Sequence, residues 1–272
     1  MGFFSWLFGK SAAPSHKVTE PRAVLIGNIG YQSAPLNGCW NDVLKINRRL
    51  LTNPDMFGPL YTGGNVRMMK DAPKRDIVDA CKWLAETAGP KTLLTSGHGV
   101  QIPSSSESDG FIEAFCPIDF DWSPETTMSD DEFVNIFRTC VGPFLWLSDS
   151  CHSGDLDKNL SRRLKDRFKV FPTPALIKAR LRGRHKIFRS LAKGDLNLAF
   201  VSGCKSSQLS ADTYIDNEYC GAMVHYFCEA ACADKNNRVK NLVERTNELL
   251  KRDMYDQEPT ASGNYAGLKI LG

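Results

Sequence analysis

The chain has 272 residues, of which 42% are hydrophobic and 24% are charged, and its formal net charge is +3. This length can bury a sizeable core in one domain, and the composition is that of an ordinary globular protein. The 21 glycines and 14 prolines are too few for a fibrous or low-complexity chain. No apolar run approaches the roughly 18 residues of a membrane span, and the net charge is too small to indicate a nucleic-acid partner.

The cysteines and the N-terminal segment indicate a cytoplasmic setting. Nine cysteines are scattered along the chain without a CxxC pair, which makes a poor disulfide framework and a poor zinc site. Residues 1–20 read as an apolar tail and a polar linker. The apolar stretch is shorter than the core of a signal peptide, and Trp6 stands where myristoylation requires Ser or Thr. Packing of the tail on the domain is favoured over membrane contact.

Short apolar runs alternate with amphipathic stretches from residue 21 onward. The runs predict buried strands at 23–27, 66–69, 92–95, 144–147 and 196–201, and a last strand at 269–271. The amphipathic stretches predict helices at 37–53, 73–88, 129–140, 218–234 and 239–254. Strands of continuous apolar residues that alternate with helices predict an α/β domain around a mostly parallel sheet.

A strongly basic segment interrupts this alternation. Residues 158–193 hold thirteen Lys or Arg residues, and Asp166 is their only acid. The segment lies between the fourth and fifth predicted strands, where a short crossover would suffice. We therefore predict an exposed insertion, referred to below as the basic insertion.

Two loops at strand ends carry the residues suited to chemistry. Ligands of parallel α/β sheets bind beyond the carboxyl ends of the strands. His98 follows the third predicted strand between two glycines, and Cys151 follows the fourth. A cysteine and a histidine at such positions can serve as thiol nucleophile and general base. The amides of Gly99 and Cys151 are candidate donors to a tetrahedral oxyanion. The alternative is a buried thiol and a core histidine.

Six sequence blocks resemble the signature blocks of metacaspases, which are caspase-fold cysteine peptidases. The two most specific are Thr95-Ser96-Gly97-His98-Gly99 and Asp149-Ser150-Cys151-His152-Ser153-Gly154. The others follow in the family's order: residues 36–42, residues 109–119, residues 129–132, and the segments at 202–204, 210–212 and 221–222. The resemblance covers about residues 21–272.

The resemblance implies a caspase-like three-layer α/β/α sandwich. It divides the peptidase domain at 21–272 into a large-subunit-like part to about residue 157, the basic insertion at 158–193, and a small-subunit-like part at 194–272. It implies that Cys151 is the nucleophile and His98 the general base, and that an acyl-enzyme forms. It also assigns four residues to the primary specificity pocket: Asp42, Asp149, Cys39 and Ser96. Two carboxylates in a narrow pocket favour a cationic side chain, so cleavage after Arg or Lys is expected.

The resemblance further implies an activating calcium ion. The matching carboxylates are those of Asp109, Asp130 and Asp131, and carboxylates from separate loops suit this hard cation. The family's fourth ligand lies seven residues after the nucleophile, where this chain has Lys158. An acid at 155 or 157 would have to substitute, so calcium stimulation is left open. The alternative role for the acids at 130 and 131 is to place negative charge at a helix N-terminus.

These observations predict a cytoplasmic, monomeric cysteine endopeptidase. It would cleave proteins or peptides after Arg or Lys and would cut itself within the basic insertion. The alternative is a catalytically idle caspase-fold scaffold that binds acidic partners through the basic insertion, and the intact pair of Cys151 and His98 argues against it. Contact of the insertion with nucleic acid or acidic lipid is a third, less favoured alternative, and no nucleic-acid partner is expected.

Overall fold

The computed structural model describes residues 18–51, 61–103, 111–151, 167–169, 197–205, 208–233 and 238–264. Several regions singled out in the sequence lie outside the described residues. They are the apolar tail, the calcium candidate Asp109, the positions 155–158, most of the basic insertion, and the predicted strand at 269–271.

The described chain forms twelve strands and five α-helices. The strands are β1 (Arg22–Gly27), β2 (Val66–Lys70), β3 (Lys91–Ser96), β4 (Gly99–Pro103), β5 (Phe111–Phe115), β6 (Met128–Ser129), β7 (Phe144–Asp149), β8 (Arg167–Phe168), β9 (Leu198–Ser202), β10 (Ala211–Ile215), β11 (Glu218–Gly221) and β12 (Thr260–Ser262). The helices are α1 (Cys39–Lys45), α2 (Lys74–Ala85), α3 (Asp130–Phe137), α4 (Ala222–Ala233) and α5 (Val239–Arg252). A π-helical segment, Ile46–Leu51, continues α1.

Six strands form the central sheet in the order β12-β9-β7-β3-β1-β2. All neighbouring pairs are parallel except β12 with β9. The mostly parallel α/β sheet expected from the sequence is therefore confirmed. Among the described residues, no helix has the length and apolar character needed to cross a bilayer.

Helices cover both faces of this sheet because successive side chains of each strand point to opposite sides. Leu25 and Leu147 pack in a core cluster with residues of α1, α4 and α5. Ile26 and Trp146 pack in a second cluster with residues of α2 and α3. The expected three-layer α/β/α arrangement is thus confirmed, with one apolar core on each side of the sheet.

The expected helix at 218–234 is wrong in its first turn. Glu218–Gly221 forms β11, which pairs antiparallel with β10, and the helix begins at Ala222. Asp216 and Asn217 connect the two strands with positive φ angles of 50° and 65°. Two such residues in succession are typical of a tight hairpin turn, and Asp and Asn are among the residues that tolerate it. The turn residues were the overlooked signal.

Two small antiparallel sheets lie apart from the central sheet. One has the order β4-β5-β6, and the other has the order β11-β10-β8. Strand β4 follows β3 after only two residues, and β10 follows β9 after a short loop. Both small sheets therefore begin at the carboxyl ends of central strands, and this positions them to frame a site there.

Candidate active site

The loops that carry His98 and Cys151 meet at the carboxyl edge of the central sheet. Strands β3 and β7 are parallel neighbours whose register pairs Ser96 with Asp149, so the residues that follow them emerge side by side. The N–H of Gly99 and the N–H of Cys151 both donate to one atom, the carbonyl oxygen of Lys169, at 2.9 and 3.1 Å. These distances match those of oxyanion donors.

The tautomer of the His98 side chain is set by a hydrogen bond of its imidazole ring. Its Nε2 lies 2.7 Å from the carbonyl oxygen of Ala34, and a carbonyl can only accept, so Nε2 carries the hydrogen. In the neutral ring, Nδ1 is then the nitrogen that can take a proton. Burial lowers the pKa of His98 to about 4, and the charge of Lys169 acts in the same direction. The ring is therefore neutral near pH 7.

Tyr31 supports the loop of His98. The two rings contact each other with centroids 4.6 Å apart. The Tyr31 hydroxyl accepts the backbone N–H of His98 at 3.2 Å and donates to the carbonyl of Cys116 at 2.7 Å. Burial raises the pKa of Tyr31 well above its usual value, so the hydroxyl keeps its proton for that second bond. Nothing in the sequence distinguished Tyr31 from other core aromatics.

The sulfur of Cys151 lies against the loop before β10. The N–H of Ser210 donates to Sγ at 2.6 Å, and the thiol lies 3.4 Å from the Ser210 carbonyl, which can accept its hydrogen. The side chain of Leu209 packs on Cys151 from the same loop. The Cys204 thiol is also adjacent, and its hydrogen bond with Cys151, together with burial, raises the pKa of Cys204 well above the usual value. The candidate nucleophile is therefore held by residues of the small-subunit-like part.

A lysine fills the predicted acidic pocket. The side chain of Lys169 is fully buried, and its Nζ donates to Asp149 Oδ2 at 2.8 Å, to Asp42 Oδ2 at 2.9 Å and to Ser96 Oγ at 2.9 Å. An ammonium has three hydrogens, and all three are used here. Burial opposes the charge, but the carboxylates of Asp149 and Asp42 raise the pKa of Lys169 well above its usual value.

Further contacts hold the two carboxylates in place. The other oxygen of Asp42 accepts the N–H of Gly221 at 2.7 Å, and the hydroxyl of Ser96 donates to Asp42 Oδ2 at 2.7 Å. The hydroxyl of Ser210 donates to Asp149 Oδ1. The Cys39 thiol is buried beside Ser96 and shares a hydrogen bond with it. Each of the four oxygens of these two carboxylates therefore accepts at least one hydrogen bond.

The structure therefore brings together most of the residues singled out in the sequence. These are Cys39, Asp42, Ser96, His98, Gly99, Asp149 and Cys151. Sequence reasoning placed Gly221 and Ser210 in segments that resemble the family but gave them no role in the pocket that they line, and it missed the carbonyl of Ala34, which orients the histidine. It also did not single out Lys169 among the thirteen basic residues of the insertion. A further carboxylate, Asp212, accepts the N–H groups of Asn37 and Gly38 at 2.7 Å each and so anchors the start of α1.

The calcium candidates that the structure describes lie at a helix start. Asp130 and Asp131 occupy the first turn of α3, whose N-cap is Ser129, and Asp130 Oδ1 accepts the N–H of Asp131 at 2.9 Å. Within the described part of the chain, no three His, Cys, Asp or Glu side chains come together in a way that could hold a metal ion. Asp109 lies outside that part. The described donors by themselves do not form a calcium site.

Comparisons with known proteins show the family of the chain. A family model described as a caspase domain matches residues 20–266. The chain is 30% identical to Metacaspase-1 of Yarrowia lipolytica and 28% identical to Metacaspase-1 of Pyricularia oryzae, over 90% and 89% of its length. It spans 62% and 71% of the lengths of these relatives.

Two solved structures share the fold. A protein from Geobacter sulfurreducens superposes with a TM-score of 0.62 at 20% identity, over 90% of this chain and 94% of that one. Caspase-1 from Spodoptera frugiperda superposes with a TM-score of 0.55 at 11% identity, over 93% of this chain and 87% of that one. At these identities the comparison concerns the fold alone.

Proposed function

Because the chain belongs to the caspase-domain family, we propose that it is a cysteine endopeptidase that cleaves after lysine or arginine and that first cuts its own basic insertion after Lys169. One observation carries this proposal. Lys169 has its side chain in the acidic pocket while its carbonyl oxygen accepts the N–H groups of Gly99 and Cys151. A peptidase substrate needs both contacts at the residue before the cut.

The proposed reaction uses groups that already surround Lys169. His98 Nδ1 takes the proton of the Cys151 thiol, and the sulfur attacks the carbonyl carbon of Lys169. The negative charge that forms on the oxygen is stabilised by the N–H groups of Gly99 and Cys151. The bond to the nitrogen of Val170 breaks, and that nitrogen leaves with the proton held by His98.

A water molecule completes the cycle. His98 takes a proton from the water as its oxygen attacks the thioester, the carbon–sulfur bond breaks, and the proton returns to the sulfur. The bond from Nε2 to the carbonyl of Ala34 keeps Nδ1 as the base in both halves. Calcium stimulation is an additional expectation, and no step above depends on it.

The pocket supports a basic preference over an acidic one. Asp42 and Asp149 are fully buried, so a cation that enters gains two charge-assisted bonds. The planar guanidinium of arginine can also pair with two carboxylates. An aspartate in the same place would be buried beside like charges, at a cost of several kcal/mol, equivalent to a loss of roughly a thousandfold or more in rate.

Self-cleavage is tested on the purified chain. Wild type should yield fragments of about 19 and 11 kDa, given 30.3 kDa for the whole chain and about 110 Da per residue. Mass spectrometry should find the new termini at Lys169 and Val170. Cys151→Ala should stay intact, and Cys39→Ala, which keeps the proposed nucleophile, should still be cut. Equal cleavage of Cys151→Ala would instead reveal a contaminating protease.

Specificity is tested with fluorogenic peptides that end in Lys, Arg or Asp, each with calcium and with a chelator. Lys and Arg peptides should be cleaved at least a thousandfold faster than Asp peptides, and Asp42→Asn should weaken their cleavage severely. Preferential cleavage after Asp would overturn the pocket assignment. Cleavage of none of the peptides, with the chain intact, would favour the idle scaffold.

A further inference from the structure

We infer that the enzyme also selects the residue immediately before the basic one, and that Leu209 is the specificity-determining residue for a large apolar side chain there. The inference rests on the proposed function, because it takes residues 167–169 as lying in the way a substrate lies. It goes further by naming a second position of the substrate and the surface that recognises it.

The backbone of residues 167–169 is held as an added strand. Strand β8 pairs antiparallel with β10, with Phe168 opposite Ala211 and Arg167 opposite Asp212. The N–H of Lys169 then donates to the carbonyl of Ser210 at 3.0 Å. Addition of an extended peptide to a sheet edge supplies affinity through the main chain and leaves alternate side chains to specify the sequence. A peptide substrate would use the same edge of β10.

The side chain of Phe168 points to a different surface from that of Lys169. Because successive side chains of a strand alternate, the lysine enters the acidic pocket while Phe168 packs on Leu209 and Cys151. Phe168 is half-buried, and Leu209 is 9% exposed even with Phe168 on it. This small apolar cluster lies directly beside the candidate nucleophile.

The position of this cluster suits it to select the substrate side chain immediately before the basic residue. Leu209 is the neighbour of Ser210, whose backbone contacts both the Cys151 sulfur and the N–H of Lys169. A side chain that packs on Leu209 therefore helps hold the scissile carbonyl against its two N–H donors. An aspartate in place of Phe168 would lose this contact and bury a charge against an apolar surface.

The test uses three fluorogenic peptides, acetyl-Arg-Phe-Lys, acetyl-Arg-Ala-Lys and acetyl-Arg-Asp-Lys amides, on the self-processed enzyme. We expect kcat/KM for Phe to exceed that for Ala by about tenfold and that for Asp by about a hundredfold. In Leu209→Ala the Phe-to-Ala ratio should fall close to one, whereas the matched control Leu209→Met should keep most of it. Each ratio compares two substrates on one preparation, so partial unfolding of a variant cancels.

The same preference is tested within the chain. Phe168→Asp should slow self-cleavage by more than tenfold, and Phe168→Leu should leave it near the wild-type rate. A Phe-to-Ala ratio near one in the wild type would overturn this inference while leaving the basic specificity intact, as would a ratio that Leu209→Ala does not change. Failure to cleave any of the Lys peptides would overturn the proposed function itself, and this inference with it.

Discussion

Two buried lysines lie at opposite ends of the same sheet and are held in opposite ways. Lys169 lies at the carboxyl edge, where two carboxylates and a hydroxyl surround its Nζ. Lys91 is the first residue of β3 and lies at the amino ends of the parallel strands. Its Nζ donates to the carbonyls of Thr87 and Gly89 at 2.8 Å and of Val141 at 2.6 Å. The carboxylates raise the pKa of Lys169, whereas burial lowers the pKa of Lys91 to about 8.

The difference shows what separates a binding pocket from a structural contact. The carbonyls around Lys91 are neutral and would simply lose donors if the lysine were absent. The carboxylates around Lys169 carry charge that needs a cation or water. Lys169 follows β8, a two-residue strand at the edge of a small sheet, where a substrate strand can replace it, whereas a residue within a central strand cannot leave without unfolding.

The largest expected effect comes from Gly221→Ala, which places a methyl group inside the acidic pocket. A methyl group there would lie 2.8 Å from Asp42 Oδ2 and nearer still to Asp149 Oδ2 and Lys169 Nζ. Cleavage of Lys peptides should fall by about a thousandfold or more per folded molecule, because the cation no longer reaches both carboxylates. The measurement is kcat/KM, with circular dichroism to establish the folded fraction.

The matched control for that change lies at the Lys91 end. Gly142 has a φ of +80°, and a methyl group would clash with the carbonyl of Ala88. Gly142→Ala should therefore lower the thermal unfolding midpoint while leaving kcat/KM of the folded fraction unchanged. If Gly221→Ala cleaved Lys peptides at the wild-type rate, the pocket would not be where substrates bind.

An intermediate effect is expected on stability when each lysine is replaced by methionine, in a Cys151→Ala background that prevents cleavage. Lys91→Met should lower the free energy of unfolding by about 3 kcal/mol, because three buried carbonyls lose their donors. Lys169→Met should cost only about 1 kcal/mol, because its segment can leave and let water reach the two carboxylates. Urea unfolding monitored by tryptophan fluorescence measures both. A larger loss for Lys169→Met than for Lys91→Met would mean that Lys169 is a permanent part of the core.

The smallest expected effect is a change with pH in the free energy of unfolding that each lysine-to-methionine substitution costs. The folded pKa of Lys91 is about 8, below its unfolded value of 10.5, so between these values the folded protein binds fewer protons than the unfolded chain. The free energy of unfolding that is lost in Lys91→Met should therefore grow as the pH rises from 7.5 to 9.5. The pKa of Lys169 is raised, so its contribution is fully present below about pH 10.5 and is lost only above that value.

The same urea titrations at pH 7.5, 8.5 and 9.5 distinguish the two lysines. The difference between Lys169→Met and its parent should stay constant over this range while that of Lys91→Met increases. Parallel changes in both differences would contradict the contrast between the two environments. Other titrating groups are shared by variant and parent, so their effects largely cancel.

Much of the central sheet could be predicted because most of its strands are continuous apolar runs. Strands β1, β3 and β7 match their predicted positions to within two residues at each end. The small antiparallel strands could not be predicted in this way, because they are short and partly polar. Strand β11 shows the difficulty, since its residues continue directly into the buried helix α4 and only the turn at Asp216 and Asn217 separates it from β10.

The residues of the candidate site likewise divide into those that could be predicted from the sequence and those that could not. His98 and Cys151 could be singled out because each follows a recognisable strand, and parallel strands bring their carboxyl ends to one edge. Gly221 and Ser210 lie far along the chain from Asp42, and only the folded chain brings them to its pocket. Both lie in segments that resemble the family's small-subunit region, but nothing local in those segments links them to the pocket.

The sequence by itself determined the α/β class and the loops that carry the candidate nucleophile and base, because periodicity and residue type are local properties of the chain. The acidic character of the pocket was implied by the resemblance to metacaspases. Only the tertiary structure decided which of thirteen basic residues fills that pocket. The choice of Lys169 depends on the register of β8 against β10, which aligns its carbonyl with two N–H donors and its Nζ with Asp42 and Asp149. Such a register is a property of two segments more than forty residues apart, and it is set by their packing.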